Sequence, residues 1–200
     1  MMTLRFVTAM TMLCLTTAMT AGCGRSPRVT FYTLSAAAPP DAAAPAAVSV
    51  VVGPVTIPSL VDQPQLVVRT SLNQVDILET YRWAEPLKSG ITRIIAEDLA
   101  VLLPRARVSS YQQNAGLEAD YRVQVDIQRL DMTPGKGVAL DALWSVRRSG
   151  ESTAKTGRSV ISEPVSAGGY DALVAAQSGA LAALSRDLVK ALRAVSTAPR

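Results

Sequence analysis

The sequence predicts an α+β fold, a two-layer sandwich in which two amphipathic helices cover one face of a largely antiparallel sheet. Three observations carry this reading. Leu87, Ile91, Ile94, Ile95, Leu99 and Leu102 recur at helical spacing, and Tyr170, Leu173, Val174, Leu181, Leu184, Leu188, Leu192 and Val195 do so again near the C-terminus. Between them, Tyr121, Val123, Val125 and Ile127 alternate strictly with polar residues. Past a Gly-rich turn, Val138, Leu140, Ala142, Trp144 and Val146 alternate in the same way, which is the period of a half-buried strand. Each helical stripe needs an apolar surface to cover, and one face of a sheet supplies it.

At the start of the chain Arg5 precedes an apolar stretch from Phe6 to Met19, shorter than the roughly 20 residues a spanning helix needs. Residues 1–22 read as a signal peptide. Thr20-Ala21-Gly22-Cys23 puts small side chains directly before a cysteine, the arrangement a lipoprotein signal peptidase cuts, although Thr20 stands where Leu is usual. Cys14 follows the bulkier Leu13 and competes poorly. Cys23 is the expected lipid-attachment site. Residues 23–28 form its tether, and residues 29–200 form a single domain.

Residues 29–34, Val-Thr-Phe-Tyr-Thr-Leu, have the composition of a strand. Residues 35–47 are almost all Ala and Pro, and Pro39, Pro40 and Pro45 forbid a stable helix, so they read as a loop. A β-branched run over residues 48–55 is a strand with a bend at Gly53-Pro54. After the loop 58–64, residues 65–70 and 75–81 are two more. Pro86 suits the first turn of the first helix, and Pro104 bounds its end. In the following strand the apolar set slips from Ile127 to Leu130 and Met132, which places a bulge near Gln128-Arg129. Gly135-Lys136-Gly137 turns the chain into a hairpin. A strand near residues 153–165 completes a meander, and Gly168-Gly169 breaks it before a long helix from Tyr170 to about Val195. The polar side of that helix is assigned Asp171, Ser178, Arg186, Lys190 and Arg193.

Composition narrows the function. The formal net charge is only +4 and aromatic residues make up 4% of the chain, so there is neither a phosphate-tracking stripe nor a set of stacking platforms. Nucleic acid is not an expected partner. The chain has no His, which removes the commonest general base and metal ligand together. No Ser sits in a Gly-x-Ser-x-Gly elbow, and the spacing of Glu97, Asp98, Asp126 and Asp131 matches no ion loop. Those carboxylates read as solvated or salt-bridged. The expectation is no enzyme, no cofactor and no metal. Two segments are more specific: Arg82-Trp83-Ala84-Glu85-Pro86-Leu87, with an indole beside a helix start, and the Pro-bounded loop of residues 57–65. Each is a structural staple or rigid connection on one reading and a docking surface on the other.

These segments, in this order, resemble the ABC-type transport auxiliary lipoproteins, the PqiC-like or YmbA-like family. The resemblance is carried by Phe31-Tyr32-Thr33-Leu34, Val52-Gly53-Pro54-Val55 with Ile57-Pro58, Asp62-Gln63-Pro64-Gln65-Leu66-Val67-Val68-Arg69, Trp83-Ala84-Glu85-Pro86-Leu87, Tyr121-Arg122-Val123 and Tyr170-Asp171-Ala172-Leu173. It extends over essentially the whole chain beyond the leader. Gln63 stands where the family commonly has a basic residue. The resemblance implies a periplasm-facing lipoprotein that works with an MCE-domain transporter subunit and its permease complex to move lipids between the membranes of a Gram-negative envelope. Gly24 after Cys23, rather than Asp, is the kind of residue that in similar lipoproteins permits sorting to the outer membrane. Asp62, Gln65, Arg82, Trp83 and Glu85 are then the expected partner-binding residues. A lipid-binding carrier and an envelope scaffold without a transport role are the competing readings, and self-association is left open.

Overall fold

A computed structural model describes residues 27–40, 47–111, 119–165 and 167–197. The leader, Cys23 and most of its tether lie outside them. The elements in order are β1 (Thr30–Tyr32), β2 (Ser49–Thr56), β3 (Gln65–Ser71), β4 (Gln74–Trp83), α1 (Leu87–Leu102), β5 (Arg107–Ser110), β6 (Tyr121–Thr133), β7 (Gly137–Arg148), β8 (Lys155–Pro164) and α2 (Tyr170–Thr197). The fold is α+β, one eight-stranded sheet with two helices.

The sheet is mixed. β3–β4, β6–β7 and β7–β8 pair antiparallel, as the hairpin turns require, whereas β1–β4, β2–β5, β2–β6 and β3–β6 pair parallel. Parallel neighbours need a long crossover, and the chain from β3 through α1 supplies one between β2 and β6. β6 organises the sheet. β7 runs the length of one of its edges, while β2 pairs with residues 121–126 and β3 meets Met132 on the other. The expected bulge is there, as a register shift between Ile127 and Arg129. β5 was not expected. Its four residues, Arg-Val-Ser-Ser, are too few and too polar to show a period, and only the exposed edge of β2 makes them a strand.

The core lies between the sheet and the helices. All six stripe residues of α1 are buried, and so are Leu173, Leu181, Leu184, Leu188 and Leu192 of α2. Buried Ala176, Ala180 and Ala191 let α2 lie close against α1 and the sheet. Trp144 is held on β7 by a small neighbour: a Cβ on Gly157 of β8 would come within 2.2 Å of the indole ring. The ring N–H donates to Ser159 Oγ at 3.0 Å, and that hydroxyl donates to Asp187 of α2 at 2.9 Å, which locks sheet to helix.

Three local expectations are corrected. Pro86 is the residue before the first helical turn rather than within it, and its carbonyl accepts N–H bonds from Ser89 and Gly90 at 2.9 and 3.0 Å. Ser178 is buried, not on the solvent side of α2; its hydroxyl donates to Val174 O at 3.1 Å and accepts the N–H of Ser35 at 3.3 Å. Asp98 is fully buried rather than solvated, and its Oδ1 accepts the N–H groups of Ala37 and Ala38 at 3.0 and 2.9 Å. One cause explains the last two. Residues 35–38 pass over both helices, and a chain with so few side-chain donors is fastened through its backbone by polar groups the helices hold beneath it.

Candidate functional site

The loop after β2 is stiffened from within. Pro58 O accepts the N–H groups of Val61 and Asp62 at 3.1 and 3.2 Å, and Val61 turns into the core. Its far end is tied to the end of β4, where Trp83 N–H donates to Pro64 O at 2.8 Å. Ala84 N–H donates to Tyr32 O at 2.8 Å, so β1 secures the same point from the other side. Trp83 is 7% exposed, packed in the core. These ties bring the two segments into one groove of about 380 Å³, lined by Asp62, Gln63, Pro64, Trp83, Ala84, Glu85, Pro86 and Leu87.

Glu85 is the oriented polar group of the groove. Its carboxylate takes Arg93 Nη2 at 2.5 Å and Nε at 3.2 Å, and Arg93 Nη1 reaches Glu97 at 3.0 Å. The same guanidinium donates to Leu34 O at 3.3 Å and to Thr33 Oγ1 at 3.4 Å. Arg93 thus joins the strand end before the Ala/Pro segment, the groove rim and α1, and its bond to Glu85 keeps it firmly protonated, against the opposing pull of burial. Glu85 also lies over Gly90 at the start of α1, where a Cβ would stand 3.4 Å from its carboxyl, an ordinary contact. Neither Arg93 nor Gly90 was expected at the site. The Arg93–Glu97 pair is visible in sequence as an i,i+4 spacing, but the reach back to Glu85 is not.

Of the five expected partner-binding residues, Asp62, Trp83 and Glu85 meet in the groove. Gln65 and Arg82 lie beside it as register partners between β3 and β4. They share Glu79: Gln65 Nε2 donates to its carboxylate at 3.2 Å, and Arg82 donates from Nε to its carbonyl at 3.1 Å. Beneath them Tyr81 packs against Tyr170 at a ring separation of 4.6 Å and against Tyr32 at 6.3 Å, which ties β4 to the start of α2. Burial, with Tyr81 close by, pushes the Tyr32 hydroxyl up.

A larger concavity lies elsewhere, on the sheet face away from the helices. It spans about 990 Å³ over Thr56, Gln124, Asp126, Leu143 and Arg158. Its charges are already engaged: Thr56 and Gln128 bond Asp126, and Arg158 pairs with Asp141. Asp131, another carboxylate of β6, is held between Arg69 and Arg129; burial alone would raise its pKa, but the two guanidiniums more than offset that and hold it low. Among the described residues no cluster of three or more His, Cys, Asp or Glu is arranged to hold a metal ion, and no helix is long and apolar enough to cross a membrane.

Fold and site together define a class, a helix-backed mixed-sheet protein whose charged side chains brace neighbouring elements and whose distinctive groove is built from two rigid loops. Within that class, the chain belongs to the ABC-type transport auxiliary lipoprotein component family, whose model matches residues 32–189. It is therefore an auxiliary component of ABC-type transport from a lipoprotein family, which is not an enzyme family. Among solved structures, a Xanthomonas campestris protein of the DUF330 family is similar at a TM-score of 0.65, with 17% identity over 80% of this chain and 92% of that one. An uncharacterized protein of known structure also reaches 0.65, with 19% identity over 83% and 99% of the two chains. At these identities the likeness speaks for the fold alone. A PelC dodecamer structure from Paraburkholderia phytofirmans superposes at 0.38 with 12% identity over 75% and 88% of the chains, too loosely to bear on this one. No curated protein matches the chain.

Proposed function

We propose that the protein is a lipid-anchored periplasmic accessory subunit of an MCE-type intermembrane lipid transport system, attached at Cys23 to the outer membrane and docking the transporter through the Trp83 groove. The convergence of the 58–64 loop with the end of β4 carries this reading, because residues some twenty apart in sequence build one surface with an apolar floor and the acidic groups Asp62 and Glu85 on its rim. A loop bounded by Pro58 and Pro64 has little conformational entropy left to lose on binding. Such a groove fits a partner segment that offers an apolar anchor flanked by N–H or basic donors. Family membership supports the transporter as partner, the sequence resemblance supports the MCE system, and Gly24 supports the outer membrane. The pump and the lipid path belong to the partners.

Two results check this reading. Changing Asp62 and Gln65 together to Ala should leave a folded lipoprotein that no longer co-purifies with the MCE subunit; undiminished co-purification by this variant overturns the docking assignment. Cys23→Ala should abolish incorporation of a fatty-acid analogue and move the protein from the membrane to the soluble periplasmic fraction. Label retained on the variant would place the lipid elsewhere.

A further inference from the structure

Among the described residues, β8 is the longest open edge of the sheet. It pairs only with β7, over ten register pairs from Lys155–Val146 to Pro164–Gly137 with no bulge. Two bonds just past the ladders show which of its backbone groups face outward. Ser149 N–H donates to Asp120 O at 2.9 Å, so the odd residues of β7 bond toward β6 and the even ones toward β8. Val165 N–H donates to Lys136 O at 3.3 Å, which sets the odd residues of β8 toward β7. The N–H and C=O groups of Thr156, Arg158, Val160 and Ser162 therefore point off the edge. Pro164, with no N–H to offer, closes the row. Val160 in its middle is 73% exposed, and Arg158, the one charge in the row, is drawn back onto Asp141 of β7. An edge so little guarded is a template for another strand.

The edge is complementary to itself. Two copies of β8 that meet antiparallel about a two-fold axis must set even residues opposite even ones, so that outward groups bond and the faces match. Centred on Arg158, the pairing opposes two guanidiniums; centred on Val160, it sets Thr156 against Pro164, which cannot donate. Centred on Ser159, it sets Thr156 opposite Ser162 and Arg158 opposite Val160, twice over, for about eight backbone hydrogen bonds. The same register brings Lys155 opposite Glu163 at both ends, on the face that carries α2. Neither makes an ion pair within its own chain among the described residues. α2 lies over β7 and β8, and its flank above β8 is small. The Glu163 side chain lies against Gly179, Asp187 takes the Ser159 hydroxyl, and Ala183 comes between them on the same side of the helix. Small residues thus line the flank that the α2 of a second copy would meet.

We propose that β8 pairs with β8 of a second copy, antiparallel and centred on Ser159, joining two sheets into one across a two-fold axis. β1 and β4, with the docking groove, lie on the other side of β6 from β8, so the pairing leaves both grooves free at the outer ends of the joined sheet. Two grooves on one unit can engage two sites of an oligomeric partner, which raises avidity without any new contact.

Cross-linking and charge exchange test this on the full lipoprotein in nonionic detergent, with micelles in excess over protein. Thr156 and Ser162 lie six residues apart, about 20 Å along one strand, too far for a disulfide within a chain. Thr156→Cys/Ser162→Cys should form a covalent dimer under mild oxidation while each single variant stays mostly monomeric, and the wild type under the same oxidation reports any contribution from Cys23. Glu163→Lys, which sets a lysine opposite Lys155 twice, should weaken self-association by about tenfold in sedimentation, and Lys155→Glu/Glu163→Lys should restore it. Val160→Pro removes an outward N–H without touching the bonds to β7, and should give a monomer of near-normal melting temperature. Should Glu163→Lys not fold, the cysteine pair, on exposed positions, decides. A wild type that stays monomeric at every concentration, a cysteine pair that cross-links no faster than either single variant, or a charge exchange that restores nothing overturns the pairing. So does a cysteine pair that cross-links in cells to another envelope protein in place of its own copy, which would give the edge to a partner's strand.

Discussion

Trp83→Ala is expected to cost about 3–5 kcal/mol of folding stability, the range for truncating a large aromatic side chain in a packed core. The residue is 7% exposed, its backbone N–H holds Pro64, and its ring floors the groove beside Leu87. A domain of this size has about 5–15 kcal/mol in total, so the loss is a large part of the margin and should appear as a shift in the denaturant midpoint. Trp83→Phe keeps the ring packing and should lose less than half as much. Partner affinity, measured on the folded fraction of each variant, separates support from contact. If the indole serves the groove as proposed, Trp83→Phe binds the partner more weakly at near-normal stability. Equal affinity for both folded proteins would confine Trp83 to the core and leave docking to Asp62, Gln65 and the Glu85–Arg93 pair.

Asp98→Ala is expected to free residues 35–38 from the helices at a cost of about 1–3 kcal/mol, because the N–H groups of Ala37 and Ala38 lose their acceptor and Ser185 loses its partner at 3.5 Å. Asp98→Asn should avoid that cost, since an amide oxygen accepts the same two N–H bonds without a buried charge. The sign of the pH dependence follows from the same geometry. Burial raises the carboxyl above its ordinary value, and the bonds from Ala38, Ala37 and Ser185 only partly counter it. The contribution of Asp98 to stability is thus fullest below the ordinary carboxylate range and falls as pH rises through the raised value. Asp131 works the other way, its contribution being lost as pH falls through its lowered value. Stability curves of wild type and Asp98→Asn should therefore converge in acid and separate toward neutrality, with Asp98→Asn the more stable there. Hydrogen exchange at Ala37 and Ala38 should be slow in wild type and Asp98→Asn, and fast in Asp98→Ala. Slow exchange in Asp98→Ala would mean that the segment is held by Ser178 and packing alone.

Much of the fold can be read from the chain because it is written in local periods. The two helical stripes, the alternation of β6 and β7 and the phase slip at Gln128-Arg129 each record which side chains must leave water, and every α1 stripe residue is buried as expected. The two segments of the groove could also be marked, by Trp83 beside Pro86 and by the prolines around Asp62. Tertiary structure alone decided what each face is buried against. Alternation does not say whether a neighbouring strand runs parallel, so the pairing of β2 with β6 and the existence of β5 were out of reach. A polar residue on a helix gives no sign that a backbone will cross above it, so Ser178 and Asp98 were placed in solvent although they bond residues 143 and about 60 positions away. Arg93 likewise reaches Glu85 only because α1 starts where β4 ends. Local sequence sets which groups seek burial, through propensity and period, whereas the partners they find across long stretches of chain depend on how the layers close over one another.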